Sequence, residues 1–382
     1  MAETVDASPP APTGIKKFLA PVLGFLKRYK GPIQYVIGFA LLAYVIQSNW
    51  NGKQPPAPEP DAPLPPPLPG LKDLMGQTPD FVMLGLAAFC IFAATVLQFY
   101  RWYLLVRALD LKFTFRDAVR LGMVGFFYNT FLPGSVGGDA VKAYFLIRDQ
   151  PTRRAAAFAT VVADRLFGLF GLILYVAVVG GALWASGDEK LGMNPDLQRI
   201  ITICGTVVVV AVVVWLMLGL LPQSRADRFA TRLQKVPKVG KMFAELWSTV
   251  VMYRKRSLTV LACLGLSAIT HTCYVLIFHF AVQVFPGDVA SFSEHVAVAP
   301  LGYIMEALFP APGGVGGGEW IFGNLYLMLK KPLNVGVVGR LTMRMIQWSF
   351  GLIGYIAYLR MKTELPVEVK EPAEEKPSTD KV

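Results

Sequence analysis

The sequence is poor in charge. Asp, Glu, Lys and Arg make up 16% of its 382 residues, against about 25% in a soluble domain. With 54% hydrophobic residues, gathered in runs of about 20 that match a bilayer core, this excludes a soluble enzyme, a secreted disulfide scaffold and a disordered chain. Cysteine is scarce. Cys90, Cys204, Cys263 and Cys273 lie inside apolar runs with no CxxC pair, and read as small core hydrophobes. There are three histidines. His271 and His279 share a helix with Cys263 and Cys273, but spacings of eight and ten residues set these groups two turns or more apart, too far to share one ion. Neither metal nor cofactor is expected. HExxH, GxSxG and the Walker lysine motif are missing, and no histidine falls in a glycine-rich turn. Nothing nominates a nucleophile and base, so the expectation is a protein that is not an enzyme.

What is present is a polytopic, all-α membrane protein. About six full spans are expected, near 32–48, 81–106, 155–184, 199–221, 258–285 and 333–360. Ahead of them lies a basic arm, 1–31, with Pro9, Pro10 and Pro12 followed by Lys16, Lys17, Lys27, Arg28 and Lys30. The first span, 32–50, ends in Gln47-Ser48-Asn49-Trp50 rather than a small-x-small cleavage site and is expected to stay as an anchor. Nine prolines in 51–70 make 51–80 an extended external linker, 81–361 forms the main transmembrane domain, and the charged tail 362–382 is expected to be disordered.

Two apolar stretches are broken by glycine and proline: 115–150, around Phe131-Leu-Pro-Gly-Ser-Val-Gly-Gly-Asp139, and 293–330, around Phe309-Pro-Ala-Pro-Gly-Gly-Val-Gly-Gly-Gly-Glu319. Each could cross once or re-enter as a hairpin of two half-helices. Lys and Arg collect on the cytoplasmic side of short loops. With both stretches re-entering and the N-terminus inside, the inside segments 1–32, 100–120, 142–154 and 222–256 hold 23 basic residues and the outside segments six. Full crossing would strand the nine basic residues of 222–256 outside. Two re-entrant hairpins are therefore expected, with both termini cytoplasmic in the inner membrane. Within 222–256, Phe229, Leu233, Val236, Phe243, Leu246, Trp247 and Val250 recur at helical spacing among basic residues, as in an amphipathic helix on anionic headgroups. An ordinary solvated loop fits as well. The net charge of +11 follows membrane sidedness, so no nucleic-acid partner is expected.

The broken stretches resemble one another. Pro133-Gly-Ser-Val-Gly-Gly138 and Pro312-Gly-Gly-Val-Gly-Gly317 agree at five of six positions, 179 apart; Arg165 falls on Arg344 at the same offset; Phe170-Gly-Leu-Ile-Leu-Tyr-Val176 matches Phe350-Gly-Leu-Ile-Gly-Tyr-Ile356 at offset 180. The repeat halves would be about 81–184 and 258–360, the second inverted, as in transporters with broken helices at the midplane.

Irregular backbone at membrane depth needs protein or a water-filled cavity around it. Half-helices beginning near Gly137 and Gly317 would aim free N–H groups into the membrane, a cradle for an anionic phosphate. Candidate substrate-binding residues are Asn129, Pro133, Gly134, Gly137, Gly138, Asp139, Lys142, Asp164 and Arg165 in the first half, and Glu306, Pro312, Gly313, Gly316, Gly317, Glu319 and Arg344 in the second. Arg165 and Arg344 suit bidentate phosphate binding. Alternatively they pair with Asp139 and Glu319, which could equally cap their half-helices. Arg340, near a span end, could snorkel outward. Asn129 and Glu306 could bond the opened backbone, and Glu306 could carry a proton.

Asn129-Thr-Phe-Leu-Pro-Gly-Ser-Val-Gly-Gly-Asp-Ala-Val-Lys142, then Val162-Ala-Asp-Arg165, then Pro312-Gly-Gly-Val-Gly-Gly-Gly-Glu319 resemble the lysylphosphatidylglycerol synthase transmembrane (flippase-like, UPF0104) family over most of 81–360. The resemblance implies lipid transport: movement of an anionic phospho- or polyprenyl-phosphate-linked headgroup across the bilayer. The soluble synthase domain of bifunctional members has no counterpart in the sequence. Membrane lipids are the expected partners. A small-anion carrier, an enzyme or accessory subunit of envelope-lipid synthesis, and a homo-oligomer stay open as alternatives.

Overall fold

The computed structural model describes residues 14–52, 68–131, 137–220, 222–235 and 240–363, and is built of helices. In chain order they are α1 (Gly14–Ser48), α2 (Leu71–Met75), α3 (Phe81–Ala108), α4 (Phe115–Phe131), α5 (Gly137–Asp149) and α6 (Arg154–Tyr175). A π turn, Val176–Gly180, carries α6 into α7 (Gly181–Ala185). Then come α8 (Glu189–Gly192), α9 (Pro195–Leu220), α10 (Gln223–Gln234), α11 (Gly240–Arg254), α12 (Ser257–Ala281), α13 (Phe292–Leu308), α14 (Gly317–Met328) and α15 (Leu333–Thr363).

Five stretches among the described residues are long and apolar enough to cross a membrane: Gly31–Ser48, Phe81–Ala108, Ala156–Ala185, Pro195–Met217 and Ser257–Ala281. The chain is an all-helical, multi-span membrane protein. The expected sixth span, 333–360, is helical over 31 residues, but it is not among these five. Its Arg340 and Arg344 lower its hydropathy, and both are buried inside the protein.

Helix starts are written locally. Asp80 Oδ1 accepts from the N–H groups of Val82 (2.8 Å) and Met83 (3.1 Å), capping α3. Ahead of α4, Thr114 and Asp117 exchange side chain-to-backbone bonds (2.9 and 3.2 Å), and Ser291 and Glu294 do the same at α13 (2.7 and 3.3 Å). α3 packs along α12, with Ala87 and Ala94 fully buried beside Ile277 and Ala281. Small side chains let helix backbones approach closely, which drives association in lipid. A larger core gathers Phe278, Val296, Phe322 and Tyr326 from α12, α13 and α14. α9 is apolar all round, with Ile203, Val207, Val210 and Val214 exposed to the lipid side.

Three expectations need correction. α1 begins at Gly14, so the basic patch expected in a soluble arm lies on a helix continuous with the first span. The expected 51–80 linker is docked at its end: Leu71 and Leu74 are buried, and the Pro69 carbonyl accepts from Asn334 Nδ2 at 2.7 Å. Segment 222–256 forms two helices rather than one amphipathic helix. Trp247 Nε1 donates to the Ala226 carbonyl (2.9 Å) and its ring meets Phe229 at 4.6 Å, so residues read as membrane-facing partly pack on each other.

Candidate functional site

α5 and α14 begin at Gly137 and Gly317, where the sequence placed half-helix starts. α5 packs back on α4, and α14 on α13. Pro133 and Gly134 lie outside the described residues. In the second turn, Pro312 opens a short 3₁₀ segment, and Gly313, Gly314 and Gly316 hold φ of 55°, 66° and 76°. Side chains rarely adopt that region. A Cβ on Gly313 would stand 2.7 Å from the Thr130 carbonyl near the end of α4, so the second turn abuts that helix end.

Behind the second turn is a closed ionic cluster. Arg344 bonds Glu319 through Nε and through Nη2 (3.1 Å), reaches Glu306 at 3.4 Å, and donates to the carbonyls of Gly313 (2.7 Å) and Gly314 (3.1 Å). Arg340 grips Glu306 with Nε (3.0 Å) and Nη2, and donates to Gln347 at 3.2 Å. Glu319 Oε2 also accepts from Gly316 N–H (2.8 Å), so it caps α14 and pairs with Arg344 together. Two arginines face two glutamates, and the four side chains are no more than 10% exposed. Arg340 therefore does not snorkel: an anionic partner inside costs less than a long reach to water. Glu306 pairs with arginines rather than with the opened backbone.

The first cluster differs. Asp139 pairs with Arg165 and, at 3.5 Å, with Lys142. Asp139 and Lys142 are buried, and the Lys142 ammonium stands 5.2 Å over the Trp102 ring. Asn129 Oδ1 accepts from Gly138 N–H (2.9 Å), which satisfies a free donor of α5. The Arg165 side chain is 48% exposed. It shares a face of α6 with the exposed Phe158 and Leu169, seven residues before and four after. Two cations thus face one carboxylate, and of the three side chains only Arg165 reaches the surface.

Asp164, predicted alongside Arg165, points elsewhere. It accepts from Arg101 Nε at 2.9 Å, while Arg101 also donates to Ser267 Oγ (2.9 Å), tying α3, α6 and α12 together. Arg101 escaped the sequence reading because it sits near a span end, where a loop cation is ordinary. A second missed group is His279–His295–Tyr326: Nδ1 meets Nδ1 at 2.9 Å, and His295 Nε2 meets the tyrosine hydroxyl at 2.8 Å.

α1 lies across the junction. The Tyr35 hydroxyl donates to the Phe131 carbonyl at 2.5 Å, and Gly38 is flat against Ala311, with a Cβ there only 2.7 Å from that of Ala311.

The model of the lysylphosphatidylglycerol synthase TM region family matches residues 74–354, which takes in both clusters and leaves out α1. The chain belongs to this family. Among similar relatives, a UPF0104 membrane protein of Methanocaldococcus jannaschii is 25% identical over 122 residues, 32% of this chain and 36% of that protein. A UPF0104 membrane protein of Methanothermobacter thermautotrophicus is 30% identical over 116 residues, 30% of this chain and 32% of the relative. The chain thus spans about a third of the length of the curated relatives it matches. No solved structure matches it.

Proposed function

We propose that this family member moves an anionic lipid headgroup across the inner membrane, with no covalent chemistry on the lipid. The observation that carries the reading is Arg165: a half-exposed guanidinium on the lipid-facing stripe of a membrane-spanning helix, backed by buried Lys142. A charge in that position is expensive and marks function by default. A headgroup phosphate entering sideways would share Arg165 with Asp139 and meet Lys142 behind it, while its tail stays in lipid.

We read α4–α5 and α13–α14 as re-entrant hairpins in an inverted repeat. Matching elements support this. α3, α4, α5 and α6 have counterparts in α12, α13, α14 and α15, and in both halves the first helix packs on the second and fourth and the second on the third. The capping pairs Thr114–Asp117 and Ser291–Glu294 are 177 residues apart, as are Asn129 and Glu306. Asn129 presses on Gly138 as Glu306 presses on Gly318. Arg165 and Arg344 then occupy one repeat position with two duties. Arg344 is buried against two glutamates and two carbonyls, whereas Arg165 is half exposed, so we assign phosphate binding to the first half and turn-holding to the second. This revises the symmetric two-arginine grip expected from sequence.

The test is purified protein in liposomes, following loss of label protection of an anionic phospholipid or a polyprenyl phosphate. The expected result is exchange above protein-free vesicles that falls roughly ten- to hundredfold in Arg165→Ala and Lys142→Met, the worth of a hydrogen bond to a charged group. Unchanged exchange in both variants refutes the site. No exchange of any lipid by the wild type refutes transport, and leaves the solute carrier and the accessory subunit.

A further inference from the structure

A cavity lies apart from the glycine turns. It is an apolar slot of about 300 Å³ between α6, α9, α11 and α12, walled by Ala163, Phe167, Ala211, Trp215, Tyr253 and Leu264. Arg165 is on a different face of α6 and is turned to Asp139 on α5. The slot therefore offers nothing to a headgroup and everything to a chain.

One end of it is marked by charge. Tyr253 on α11 and Val260 on α12 both line the slot, and the chain between them runs through Arg254, Lys255 and Arg256. Lys255 and Arg256 are exposed, and Arg256 pairs with Asp110 at 2.8 Å. α10, which packs on α11, adds Arg225, Arg228, Arg232 and Lys235 to the same segment. An apolar slot ending at a run of cations on a membrane protein complements one class of molecule: an amphiphile with a hydrocarbon chain and an anionic head. Basic residues at a membrane surface draw anionic lipid toward them.

We propose that this slot is a binding site for an anionic phospholipid, with one acyl chain between α6 and α9 and the phosphate on the turn Arg254–Arg256. The site is separate from the proposed transport site and holds whether or not headgroups cross at the glycine turns. Its occupant fills the space left beside the α6–α9 contact and fastens the α10–α11 pair to the bilayer.

Trp215 reports on it. The chain has seven tryptophans, so its signal is taken as the difference between the full-length protein and Trp215→Phe. Vesicles of phosphatidylcholine are titrated with phosphatidylglycerol carrying brominated acyl chains, and separately with brominated phosphatidylcholine. The expected result is half-maximal quenching of Trp215 at a several-fold lower mole fraction of the anionic lipid. Lys255→Glu should bring the two curves together, and Ala211→Phe, which fills the slot, should weaken quenching by both lipids. Identical curves in the wild-type protein overturn the proposal, because bulk lipid then fills the slot without selection. Quenching unaltered by Ala211→Phe in protein that elutes like wild type also overturns it. Where a variant does not fold, the wild-type comparison of the two lipids decides alone.

Discussion

Arg165→Ala and Arg344→Ala remove the same residue from positions that the proposed repeat makes equivalent, and should fail in different assays. Arg344 is 3% exposed and bonds Glu319, Glu306 and two turn carbonyls. Its loss leaves Glu319 buried with its main partner gone and the carbonyls of Gly313 and Gly314 without that donor. Breaking a buried pair from one side costs about 3–5 kcal/mol. At roughly 2–4 °C per kcal/mol for chains of 150–250 residues, and less for longer ones, the melting temperature should fall on the order of 5–10 °C. Arg165 is half exposed, and after its removal Asp139 keeps Lys142; solvent screening holds that cost to about 1 kcal/mol or less. The assay is thermal unfolding in detergent by intrinsic fluorescence, with size-exclusion elution as the control. The double variant Arg344→Met, Glu319→Met should recover part of the loss, since charge is then removed in balance. Equal shifts for the two alanine variants, or an Arg344→Ala shift within 1 °C or so, would refute the division of labour between the halves.

Two further outcomes are expected. Gly313→Ala should destabilise by more than about 1 kcal/mol, because φ is 55° and the new Cβ would stand 2.7 Å from the Thr130 carbonyl; Gly265→Ala, with nothing within 4 Å, should be neutral or stabilise by up to about 1 kcal/mol, both read by melting temperature. Gly38→Cys with Ala311→Cys should cross-link under mild oxidant, since a shift of about 1 Å brings their Cβ atoms into disulfide range; absence of the cross-linked band on a gel would mean that α1 does not lie on the second turn.

Legibility in the sequence followed locality. The turns were readable because Pro and Gly punctuate any apolar run, and the helix starts at Gly137 and Gly317 followed directly. The pairs Arg165–Asp139 and Arg344–Glu319, legible as alternatives to phosphate binding, both form, since a carboxylate buried at a helix start has few other partners. Nearness to a span end makes Arg340 look free to snorkel, but its spacing says otherwise: four residues from Arg344, it shares a helix face with it and meets the same Glu306. Arg101 and His295 needed contacts 63 and 16 residues away, with Asp164 and His279, which no local pattern encodes. One signal was there to be used. Thr114-x-x-Asp117 and Ser291-x-x-Glu294, 177 residues apart, mark matching helix starts before any glycine is counted.

The two glycine-rich regions differ in charge, and under the proposed function that difference bears on how such a protein could alternate. A turn held by two arginines and two glutamates, with three glycines at positive φ and no excess charge, is over-determined: moving it breaks several buried bonds at once. Asp139, shared between Arg165 and Lys142, has an exchange available to it under the proposed function: an incoming phosphate would take its place on Arg165 while Asp139 keeps Lys142. Ligand binding can shift a conformational equilibrium only through differential contact with the two states, and only the first cluster offers such a contact. Under the proposed function, the α4–α5 side is therefore the part that responds to the headgroup, and the α13–α14 side, clasped by α1, is the frame against which it moves.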